Sequence, residues 1–560
     1  MPTLDWIGKK AVVNHHQDVP YRLIHCNGAL SAGDPDAGNL LVEGDNLVAL
    51  KALLPYYAGK AKCIYIDPPY NTGNENWAYN DNVNSPEIVK WLGETVGKEA
   101  EDLTRHDKWL CMMYPRLRLL YEFLAEDGVL LCSINDFEVH SLRDILSSIF
   151  QANNFVATFI WINEGNIDNQ SKIKTNHEYV VAFSRREKHF SPGAVVDPTI
   201  EESSKLLNER IANTIVKNGP KNPISEITLP LGFPTNFEEG IIEPNSNPKF
   251  WPKFDTPITV RNRKIQHEVR VSSGWSSKNF LEMFIAAQFH DIIDRKGQRT
   301  RFYLTETGAV YVEKDRSEEQ SHVLTVLAGM GTVQEAAAQL NTMGVSFSYP
   351  KPVRLISYLL TANCRDKDAI FIDSFAGSGT TGHAVLEMNA KDSGNRRFVL
   401  VEMDSDISKR VTAPRLTAAV SGIGHTGGLS GGFRYCTLGE PLFDADGGIN
   451  PSVTFTDLAA HVFFAETGQP IPKKAQDGNP FLGTFQSRAV YLLWSREGAS
   501  KSGAHKTNIL SGDALAALPS PGDSFSGERV VYADGCTVSR ERLTRDSILF
   551  KQVPYRVAGN

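Results

Sequence analysis

Two separated stretches of the chain alternate between short apolar runs and amphipathic segments, and this alternation restricts the possible folds more than any other feature. Within 40–190, an apolar run such as KCIYI at 62–66 has the length of a buried parallel strand. The segment that follows Asp45, NLVALKALLP, has helical spacing, and Asp45 is placed to cap that helix. The alternation stops in 191–345 and resumes in 346–423. This order predicts an α/β fold with a doubly wound, mostly parallel sheet.

Composition limits the setting of the protein but not its chemistry. With 560 residues, 41% hydrophobic and 22% charged, the chain is typical of a globular protein of several domains. It has no apolar run long enough to span a bilayer and no secretory signal in MPTLDWIGKK, so we expect a cytoplasmic protein without membrane contact. Seven cysteines without ligand spacing are typical of buried residues in a reducing compartment. Because the net charge is -7, any nucleic-acid surface must be local.

The first chemical motif, Asp67-Pro68-Pro69-Tyr70, follows the apolar run 62–66, and open α/β sheets bind ligands beyond the carboxyl ends of their strands. An aromatic amine is a weak nucleophile, so an enzyme that uses one needs hydrogen-bond acceptors for its N–H groups. The Asp67 carboxylate and the Pro68 carbonyl are such acceptors, and Pro69 fixes the direction of that carbonyl. Tyr70 offers a ring on which a flipped base can stack. The alternative is a proline-rich turn that ends a strand.

The second motif, DSFAGSGTT at 373–381, lies between an apolar run and a helical segment. It lacks the lysine of a phosphate-binding P-loop, and its GSGTTG fits the dinucleotide fingerprint only formally. A carboxylate at Asp373 would repel a pyrophosphate but suits the ammonium group of a sulfonium cofactor. Gly377 and Gly379 allow close approach of a ligand to the backbone, and Glu402 at the end of the next run is placed to bind ribose hydroxyls. The motif predicts a cofactor site, with a structural turn as the alternative.

With DPPY first and FAGSG about 300 residues later, the chain resembles the β class of amino-group DNA methyltransferases. Within that class it is similar to the modification subunits of type III restriction–modification systems. Further matching segments are VEGDNLVALKALLP, DPPYNTGN, KTNHEYVVAFSR and YPKPVRLISYLL, and in the last of these Lys351 and Pro352 stand at matching places. The resemblance implies methyl transfer from S-adenosylmethionine to N6 of adenine in duplex DNA. It also implies a homodimer and a restriction (helicase/nuclease) subunit as partner.

The resemblance assigns roles to named residues. The catalytic residues that it implies are Asp67, Pro68, Pro69 and Tyr70. The cofactor-binding residues that it implies are Asp45, Asp373, Phe375, Gly377, Gly379, Thr380 and Glu402. The histidines lack partners at ligand spacing, and transfer from a sulfonium needs no metal, so we expect no metal site.

The stretch between the two halves resembles a target-recognition domain. From Lys249 to Arg301 there are eleven basic residues against five acidic ones, with aromatic residues between them. Basic side chains hold phosphates and Arg reads base edges, whereas the alternative is a solvated face over an aromatic core. The residues expected to contact DNA are Arg261, Arg263, Lys264, Trp275, Lys278, Arg299 and Arg301.

The expected organisation has six segments. They are an N-terminal extension (1–39), the catalytic half (40–190), the target-recognition domain (191–345), the cofactor-binding half (346–423), a Gly-rich linker (424–432) and a C-terminal α+β domain (433–560). Within the catalytic half we expect a long helix that ends at Gly128. The C-terminal domain receives no chemistry, and contact with a restriction subunit, DNA clamping and dimer support all stay open.

Three alternative functions stay open. Cytosine-N4 methyltransferases share the architecture, although they more often carry serine where Asp67 stands. Methylation of a protein or RNA amide or amine uses similar loops, but the long basic, aromatic insert argues against it. A recognition subunit that only steers a restriction nuclease would not need both motifs.

Overall fold

The computed structural model describes residues 4–72, 93, 104–163, 172–193, 210–245, 247, 249–295, 297–315, 323–423, 427–444, 447–495, 508–522 and 525–553. The chain divides into two compact units, a larger one formed by 1–193 and 324–560 and a smaller one formed by 194–323. The larger unit is therefore built from two stretches that flank the smaller unit in sequence. The functional division predicted from the sequence stays a prediction.

The larger unit combines helices and strands from both of its stretches. Its helices are α1 (Lys9–Val12), α2 (His15–Asp18), α3 (Asn46–Tyr57), α4 (Arg105–Phe123) and α5 (Val139–Phe150) before the insert. Its strands before the insert are β1 (Arg22–Gly33), β2 (Leu40–Glu43), β3 (Ala61–Ile66), β4 (Leu124–Ile134), β5 (Phe155–Ile162) and β6 (His177–Ser184).

The smaller unit contains mostly short strands. They are β7 (Arg210–Thr214), β8 (Ile224–Leu229), β9 (Gly240–Ile242), β10 (Ile258–Arg261), β11 (Lys264–Ile265), β12 (Val269–Gly274), β13 (Ile292–Ile293), β14 (Arg299–Leu304) and β15 (Val310–Asp315). The helix described there is α6 (Lys278–Ala286).

The chain then returns to the larger unit. Its further helices are α7 (Val333–Thr342), α8 (Val353–Asn363), α9 (Thr380–Asp392), α10 (Ser405–Ile407), α11 (Ala413–Ser421), α12 (Phe455–Thr467), α13 (Gly512–Ala516) and α14 (Arg540–Arg545). Its further strands are β16 (Val326–Leu327), β17 (Ile370–Asp373), β18 (Arg397–Glu402), β19 (Gly432–Pro441), β20 (Phe481–Phe485), β21 (Arg488–Leu493), β22 (Ile509–Leu510), β23 (Glu528–Ala533), β24 (Gly535–Cys536) and β25 (Ile548–Gln552).

A ten-stranded sheet forms the centre of the larger unit, in the order β1-β19-β2-β18-β17-β3-β4-β6-β5-β16. From β19 to β4 every neighbouring pair is parallel, while β1 and β6 run antiparallel to their neighbours. The central strands β17 and β18 are apolar and buried along most of their length, as is typical of a parallel sheet covered on both faces. The predicted α/β fold with a mostly parallel sheet is confirmed.

The register of this sheet brings the two sequence motifs together. Strand β3 pairs with β17 in parallel, so that Ile64 lies opposite Ile372. Asp67 follows β3 and Asp373 ends β17, so both aspartates lie at the carboxyl edge of the sheet. Glu402 ends β18 at the same edge, where open α/β sheets bind their ligands.

Helix α3 shows how the sequence pattern sets a local structure. The Asp45 side chain accepts a hydrogen bond from the backbone N–H of Val48, which satisfies one of the free donors at the helix start. The helix is buried along most of its length, with Leu47, Leu50 and Leu54 in the main core. The prediction of a helix capped by Asp45 is confirmed.

The prediction that the long helix ends at Gly128 is wrong. Helix α4 ends at Phe123, and Leu124 already belongs to β4 and pairs with Ala61. Gly128 lies inside that strand, where a Cβ atom would come within 2.7 Å of the Ala61 carbonyl oxygen. Gly128 therefore allows two strands to approach closely, and pairing with β3 overrides the helical spacing of the sequence.

The smaller unit has its own core and three sheets, β11-β10-β9, β12-β8 and β13-β14-β15-β7. Phe233, Phe284 and Phe302 are buried in this core, and the ring centroids of Phe284 and Phe302 lie 5.5 Å apart. The aromatic residues of the insert thus include the residues that hold it together.

The C-terminal stretch adds a four-stranded sheet, β20-β21-β23-β25, to the larger unit. Its core contains Val490 and Val530 from the strands and Val462 from α12. The stretch combines strands such as β21 and β23 with helices such as α12 and α13. Of the described helices, none combines the length and apolar character needed to cross a membrane.

The cysteines differ from expectation at one pair. Cys26 on β1 and Cys436 on β19 lie directly opposite each other and are joined by a disulfide, although the sequence analysis expected reduced cysteines. Cys63 and Cys132 are free and fully buried in the sheet, as small apolar residues.

Candidate active site

The DPPY turn presents Asp67 and Tyr70 to a cluster of charged side chains. The Tyr70 hydroxyl lies 2.8 Å from Asp67 Oδ1 and 2.8 Å from Glu178 Oε2. Glu178 is the second residue of β6, and β6 runs antiparallel to β4, so its beginning lies at the edge where β3 and β4 end. The network thus joins residues from two neighbouring parts of the same sheet edge.

Lys351 completes this cluster from the far side of the insert in sequence. Its ammonium group donates to Asp67 Oδ2 at 2.8 Å and lies 3.2 Å from Glu178 Oε2. The same group lies 5.0 Å from the centre of the Tyr70 ring and 5.9 Å from that of Trp161. Only 7% of the Lys351 side chain is exposed, so the ion pairs are largely shielded from water.

Burial and charge act in opposite directions on Lys351. Burial alone lowers the pKa of a lysine, because the charged form loses its hydration. The carboxylates of Asp67 and Glu178 outweigh this effect and raise the pKa of Lys351 above its ordinary value. Lys351 therefore stays a cation between two carboxylates throughout the physiological range.

Hydrogen bonds with neighbouring segments hold the DPPY turn in place. Trp109 on α4 donates its indole N–H to the Pro69 carbonyl at 2.7 Å. Asn71, which has a positive φ of 59°, is fully buried and donates its side-chain amide to Glu138. His106 Nδ1 lies 2.6 Å from the same Glu138 oxygen. A positive φ at a non-glycine residue is strained, and these contacts hold the strained turn in place. From Gly73 onward the predicted catalytic loop lies outside the described residues.

The Gly-rich turn holds Asp373 in a dry, hydrogen-bonded position. The carboxylate accepts the Phe375 N–H at 3.0 Å and the Thr381 hydroxyl at 2.6 Å. Burial raises the pKa of Asp373 to about 7, although these two hydrogen bonds lower it and the Asp67 charge raises it further. Asp373 can therefore change its charge near neutral pH.

Two glycines of this turn have a left-handed backbone, with φ of 50° at Gly377 and 76° at Gly379. At Gly379 a Cβ atom would also come within 3.0 Å of the Thr412 side chain. The N–H of Gly377 donates to Glu402 Oε2 at 2.8 Å, and the other Glu402 oxygen accepts the Asp404 N–H at 2.9 Å. The fully buried Glu402 carboxylate thus holds the turn against the end of β18.

One pocket joins the two motifs. The residues that line it are Tyr65, Asp67, Phe347, Tyr349, Lys351, Asp373, Phe375, Ala376, Gly377, Ser378, Thr380 and Thr381. Asp67 and Asp373, the first residues of the two motifs, therefore face the same space. The Thr380 hydroxyl donates to the Lys351 carbonyl at 3.2 Å, which ties the Gly-rich turn to the lysine.

Several predicted cofactor residues contribute differently. Phe375, Gly377 and Thr380 line the pocket directly, whereas the described lining does not include Asp45, Gly379 or Glu402. Asp45 caps α3 and forms a 2.9 Å ion pair with the buried guanidinium of Arg116. Its observed contacts are structural, and its proposed contact with the cofactor stays a prediction.

The residues expected to contact DNA lie in the smaller unit. Arg261 and Lys264 form the last pair of a hairpin whose two turn residues, Asn262 and Arg263, have positive φ, and all four are exposed. Arg263 forms a 2.9 Å ion pair with Glu238 across the surface.

The remaining basic residues of this set have carboxylates beside them. Lys278 lies 4.0 Å from Glu282, Arg299 lies within 4 Å of Asp291 and Asp315, and Arg301 lies within 3.5 Å of Asp291 and Glu313. The basic excess of the sequence is therefore partly neutralised on this face.

The structure corrects the assignment of Trp275. Its ring is 5% exposed and belongs to the core of the smaller unit, and its indole N–H donates to the Ser225 carbonyl at 2.8 Å. A ring that is buried on both faces cannot stack on a base. The aromatic core that the sequence analysis gave as the alternative accounts for Trp275.

The sequence analysis missed two residues of the site. The sequence pattern assigns no role to Glu178, and Lys351 stands at a place that matches the family without a role of its own. Strand β6 runs antiparallel beside β4, the neighbour of β3, so the start of β6 lies at the ligand-binding edge, and this topological signal identifies Glu178. Lys351 lies in the loop before α8, so no strand position predicts its place in the site.

Comparison with known proteins agrees with this geometry. The family model described as DNA methylase (N6_N4_Mtase) matches residues 61–412. The chain is 32% identical over 404 residues to the type III restriction-modification enzyme EcoPI Mod subunit of Escherichia phage P1, covering 67% of this chain and 59% of that protein. It is 28% identical over 392 residues to the EcoP15I Mod subunit of Escherichia coli, covering 65% and 58%.

A shorter relative gives the same picture. The type II methyltransferase M.KpnI of Klebsiella pneumoniae is 26% identical over 390 residues, covering 68% of this chain and 84% of that protein. The chain spans just under three fifths of the length of the two Mod subunits. Because the family model matches more than half of the chain and includes both motifs, this protein belongs to the N6_N4_Mtase family of DNA methylases.

Proposed function

We propose that this chain transfers a methyl group from S-adenosylmethionine to the exocyclic N6 of adenine in duplex DNA, in the cytoplasm, as the modification and specificity subunit of a type III restriction–modification system. The observation that carries the proposal is that Asp67 and Asp373 line one pocket. Family membership and the Mod subunits among its relatives support it.

The donor groups of the pocket fit the cofactor. Asp373 provides a carboxylate for an ammonium group, Phe375 provides an apolar ring, and the turn at Gly377 and Ser378 offers a backbone that a ligand can approach. Glu402 holds that turn through the Gly377 N–H, and its contact with the ribose hydroxyls is part of the proposal. When bound, S-adenosylmethionine supplies a methyl group activated by a positively charged sulfur, and it leaves as a neutral thioether.

The catalytic residues act by holding the amine. The Asp67 carboxylate and the Pro68 carbonyl accept the two amine hydrogens, which directs the nitrogen lone pair toward the methyl group. Tyr70 packs against the flipped base and is itself fixed by its hydroxyl contacts. The Trp109 contact to the Pro69 carbonyl keeps the turn rigid, so positioning supplies most of the acceleration.

The base and the partners follow from the same proposal. The aspartate at position 67 favours adenine, and N4 of cytosine is the second candidate because its amine presents the same two hydrogens. The smaller unit would read the target sequence through its exposed basic hairpin at 261–264. We further propose a restriction subunit as partner, as the names of the Mod relatives suggest, and a homodimer, as the resemblance to the β class implies.

The test uses labelled S-adenosylmethionine and unmethylated bacterial genomic DNA, followed by digestion to nucleosides. We expect label in N6-methyladenine with the wild type and none with Asp67→Ala. A matched control is Asp127→Ala, which removes an exposed aspartate that pairs with Lys62 at 2.7 Å and should leave the label unchanged. Label in N4-methylcytosine would refute the base assignment, and label in protein or RNA but not in DNA would refute the substrate class.

A further inference from the structure

The active site holds a second carboxylate that the proposed mechanism does not use. Glu178 contacts the same Tyr70 hydroxyl and Lys351 ammonium group as Asp67, and its side chain is 19% exposed, against 14% for Asp67. Glu178 reaches the site only through the Tyr70 hydroxyl and the Lys351 ammonium group in the described contacts. Any effect of Glu178 on the reaction therefore passes through these two residues.

The charges of this cluster do not cancel. Asp67 and Glu178 contribute two negative charges and Lys351 contributes one positive charge, which leaves one net negative charge. The Tyr70 hydroxyl has a single hydrogen for two carboxylate oxygens that are each 2.8 Å away. It can fully satisfy only one of them at a time, so the hydroxyl does not remove the excess charge.

Without Glu178 the balance would change. Lys351 would then direct its whole charge at Asp67, and the pair would be neutral. A neutral ion pair is a weaker acceptor for an amine that is becoming positive. Glu178 shares Lys351 with Asp67 at 3.2 Å and 2.8 Å, and this sharing leaves Asp67 its negative character.

The methyl transfer moves charge toward this cluster. The electron pair of the breaking carbon–sulfur bond stays on sulfur, and the nitrogen lone pair forms the new carbon–nitrogen bond. The positive charge thus passes from sulfur to nitrogen until the amine releases one proton to solvent. A net negative charge beside the nitrogen stabilises the transition state more than the ground state.

We propose that Glu178 is a positioning residue that keeps one net negative charge beside the target amine by sharing Lys351 with Asp67. This inference rests on the proposed methyl transfer and adds a residue to it. Besides Tyr70, Lys351 and Glu178, three titratable groups of the described residues interact with Asp67: Tyr65, whose hydroxyl lies 2.8 Å from Ser133, the buried thiol of Cys132, and Asp373 across the pocket. Burial raises the pKa of Tyr65 and of Cys132, so both stay neutral, and Asp373, whose pKa is about 7, is the same in every variant, so its titration is common to all the profiles that are compared.

The test compares Glu178→Gln, Lys351→Met and the double variant in single-turnover methyl transfer between pH 6 and 9. Glutamine keeps an acceptor for Tyr70 but removes the charge, so we expect Glu178→Gln to be about 30- to 100-fold slower. In the double variant Asp67 alone carries the charge, and we expect about a tenfold recovery over Glu178→Gln. Binding of cofactor and of DNA should change less than about threefold in each variant.

Lys351→Met should show a shifted pH profile. Two carboxylates without their cation hold a proton more tightly, which raises the pH at which the rate reaches its maximum. Removing Glu178 as well should return the profile toward that of the wild type. A double variant no faster than Glu178→Gln would sink the proposal, because loss of packing around Tyr70 would not be relieved by removing a second group.

A second measurement does not depend on the substrate. In Lys351→Met the carboxylates of Asp67 and Glu178 repel each other without the cation between them, so the variant should lose stability as the pH rises and both become ionised. We expect Lys351→Met to melt several degrees lower at pH 8 than at pH 5 relative to the wild type, and Glu178→Gln to reverse this loss. If the wild type transfers no methyl group to DNA, the proposed function fails, and the melting pattern still decides the charge balance.

Discussion

The two compact units of this protein treat charge in opposite ways. At the carboxyl edge of the large sheet, Asp67, Glu178 and Lys351 are largely shielded from water and share contacts across about 280 residues of sequence. In the smaller unit the charged side chains, such as Arg299 with Asp315, lie on the surface beside near neighbours in the sheet. Its core consists of aliphatic and aromatic side chains, and its buried carboxylate Asp294 is paired at 2.6 Å with the partly exposed Lys314.

This difference explains why the motifs of one region are informative and the composition of the other is not. A buried charge is retained only where partners hold it, so each of its contacts is specific. An exposed ion pair contributes about 0–1 kcal/mol and has many equivalent arrangements. A basic stretch in the sequence therefore indicates only a solvent-exposed surface, while an aspartate at the end of a buried strand indicates a ligand-binding site.

The largest expected effect tests the core of the smaller unit. Trp275→Ala removes a fully packed ring and leaves a cavity, so we expect the smaller unit to lose about 3–5 kcal/mol of stability. Chemical denaturation followed by fluorescence measures this loss. Unchanged stability together with lost DNA binding would return Trp275 to the DNA-contact set.

A comparable effect on activity should come from the shielded charges. Asp67→Ala removes an acceptor for the amine, and we expect the methyl-transfer rate to fall about 10²- to 10³-fold while affinity for cofactor and DNA stays within about threefold. Asp291→Ala, which removes the exposed carboxylate beside Arg301, is the counterpart and should cost less than about 1 kcal/mol of stability. If Asp67→Ala and Asp291→Ala lowered the methyl-transfer rate equally, the contrast between shielded and exposed charges in the two units would be refuted.

A smaller effect should follow pH. Because burial raises the pKa of Asp373 to about 7, this carboxyl is largely protonated below that pH. The cofactor ammonium binds the ionised form, so affinity for S-adenosylmethionine should rise about tenfold per unit up to about pH 7. Affinity should fall again as the α-amino group of the cofactor loses its proton near pH 8.

Calorimetry between pH 5 and 9 measures this profile, and Asp373→Asn provides the control. The variant should bind more weakly and lose the rise below pH 7. A rise that persists in the variant would assign the titration to another group.

The smallest effects should appear on the surface of the smaller unit. Arg261→Ala removes an exposed side chain from the hairpin, and we expect DNA binding to weaken about three- to tenfold with a reduced salt dependence. Arg299→Ala should have a smaller effect, because Asp291 and Asp315 already engage this arginine. Binding titrations at two salt concentrations rank the two variants, and the reverse order would refute the hairpin as the principal contact.

Much of the candidate site can be predicted from the sequence, because each of its two motifs is a run of consecutive residues. Asp67 and Asp373 each follow an apolar strand, and strand ends in a parallel sheet converge on one edge whatever the length of the insert. Glu178 and Lys351 could not be assigned in this way. The direction of β6 and the path of the loop before α8 depend on tertiary pairing, which local periodicity does not encode.

The errors in the fold have the same origin. The helix predicted to end at Gly128 ends five residues earlier, because Leu124 gains a partner in β3 that its own sequence does not reveal. Tryptophan occurs both on base-stacking surfaces and in protein cores. For Trp275 only the tertiary structure, in which β12 pairs with β8, distinguishes the two roles. Tertiary pairing thus overrides local propensity in both cases.

The order of strands also has a consequence for synthesis on the ribosome. Strand β3 lies between β4 and β17, but β17 is translated about 300 residues after β3. Until Ile370–Asp373 emerges, the edge of the catalytic strand stays unpaired, and such an edge is prone to pair with other chains. A nascent chain released before β17 should therefore aggregate or recruit chaperones, and one released after β18 should resist proteolysis in 61–72 and 104–134.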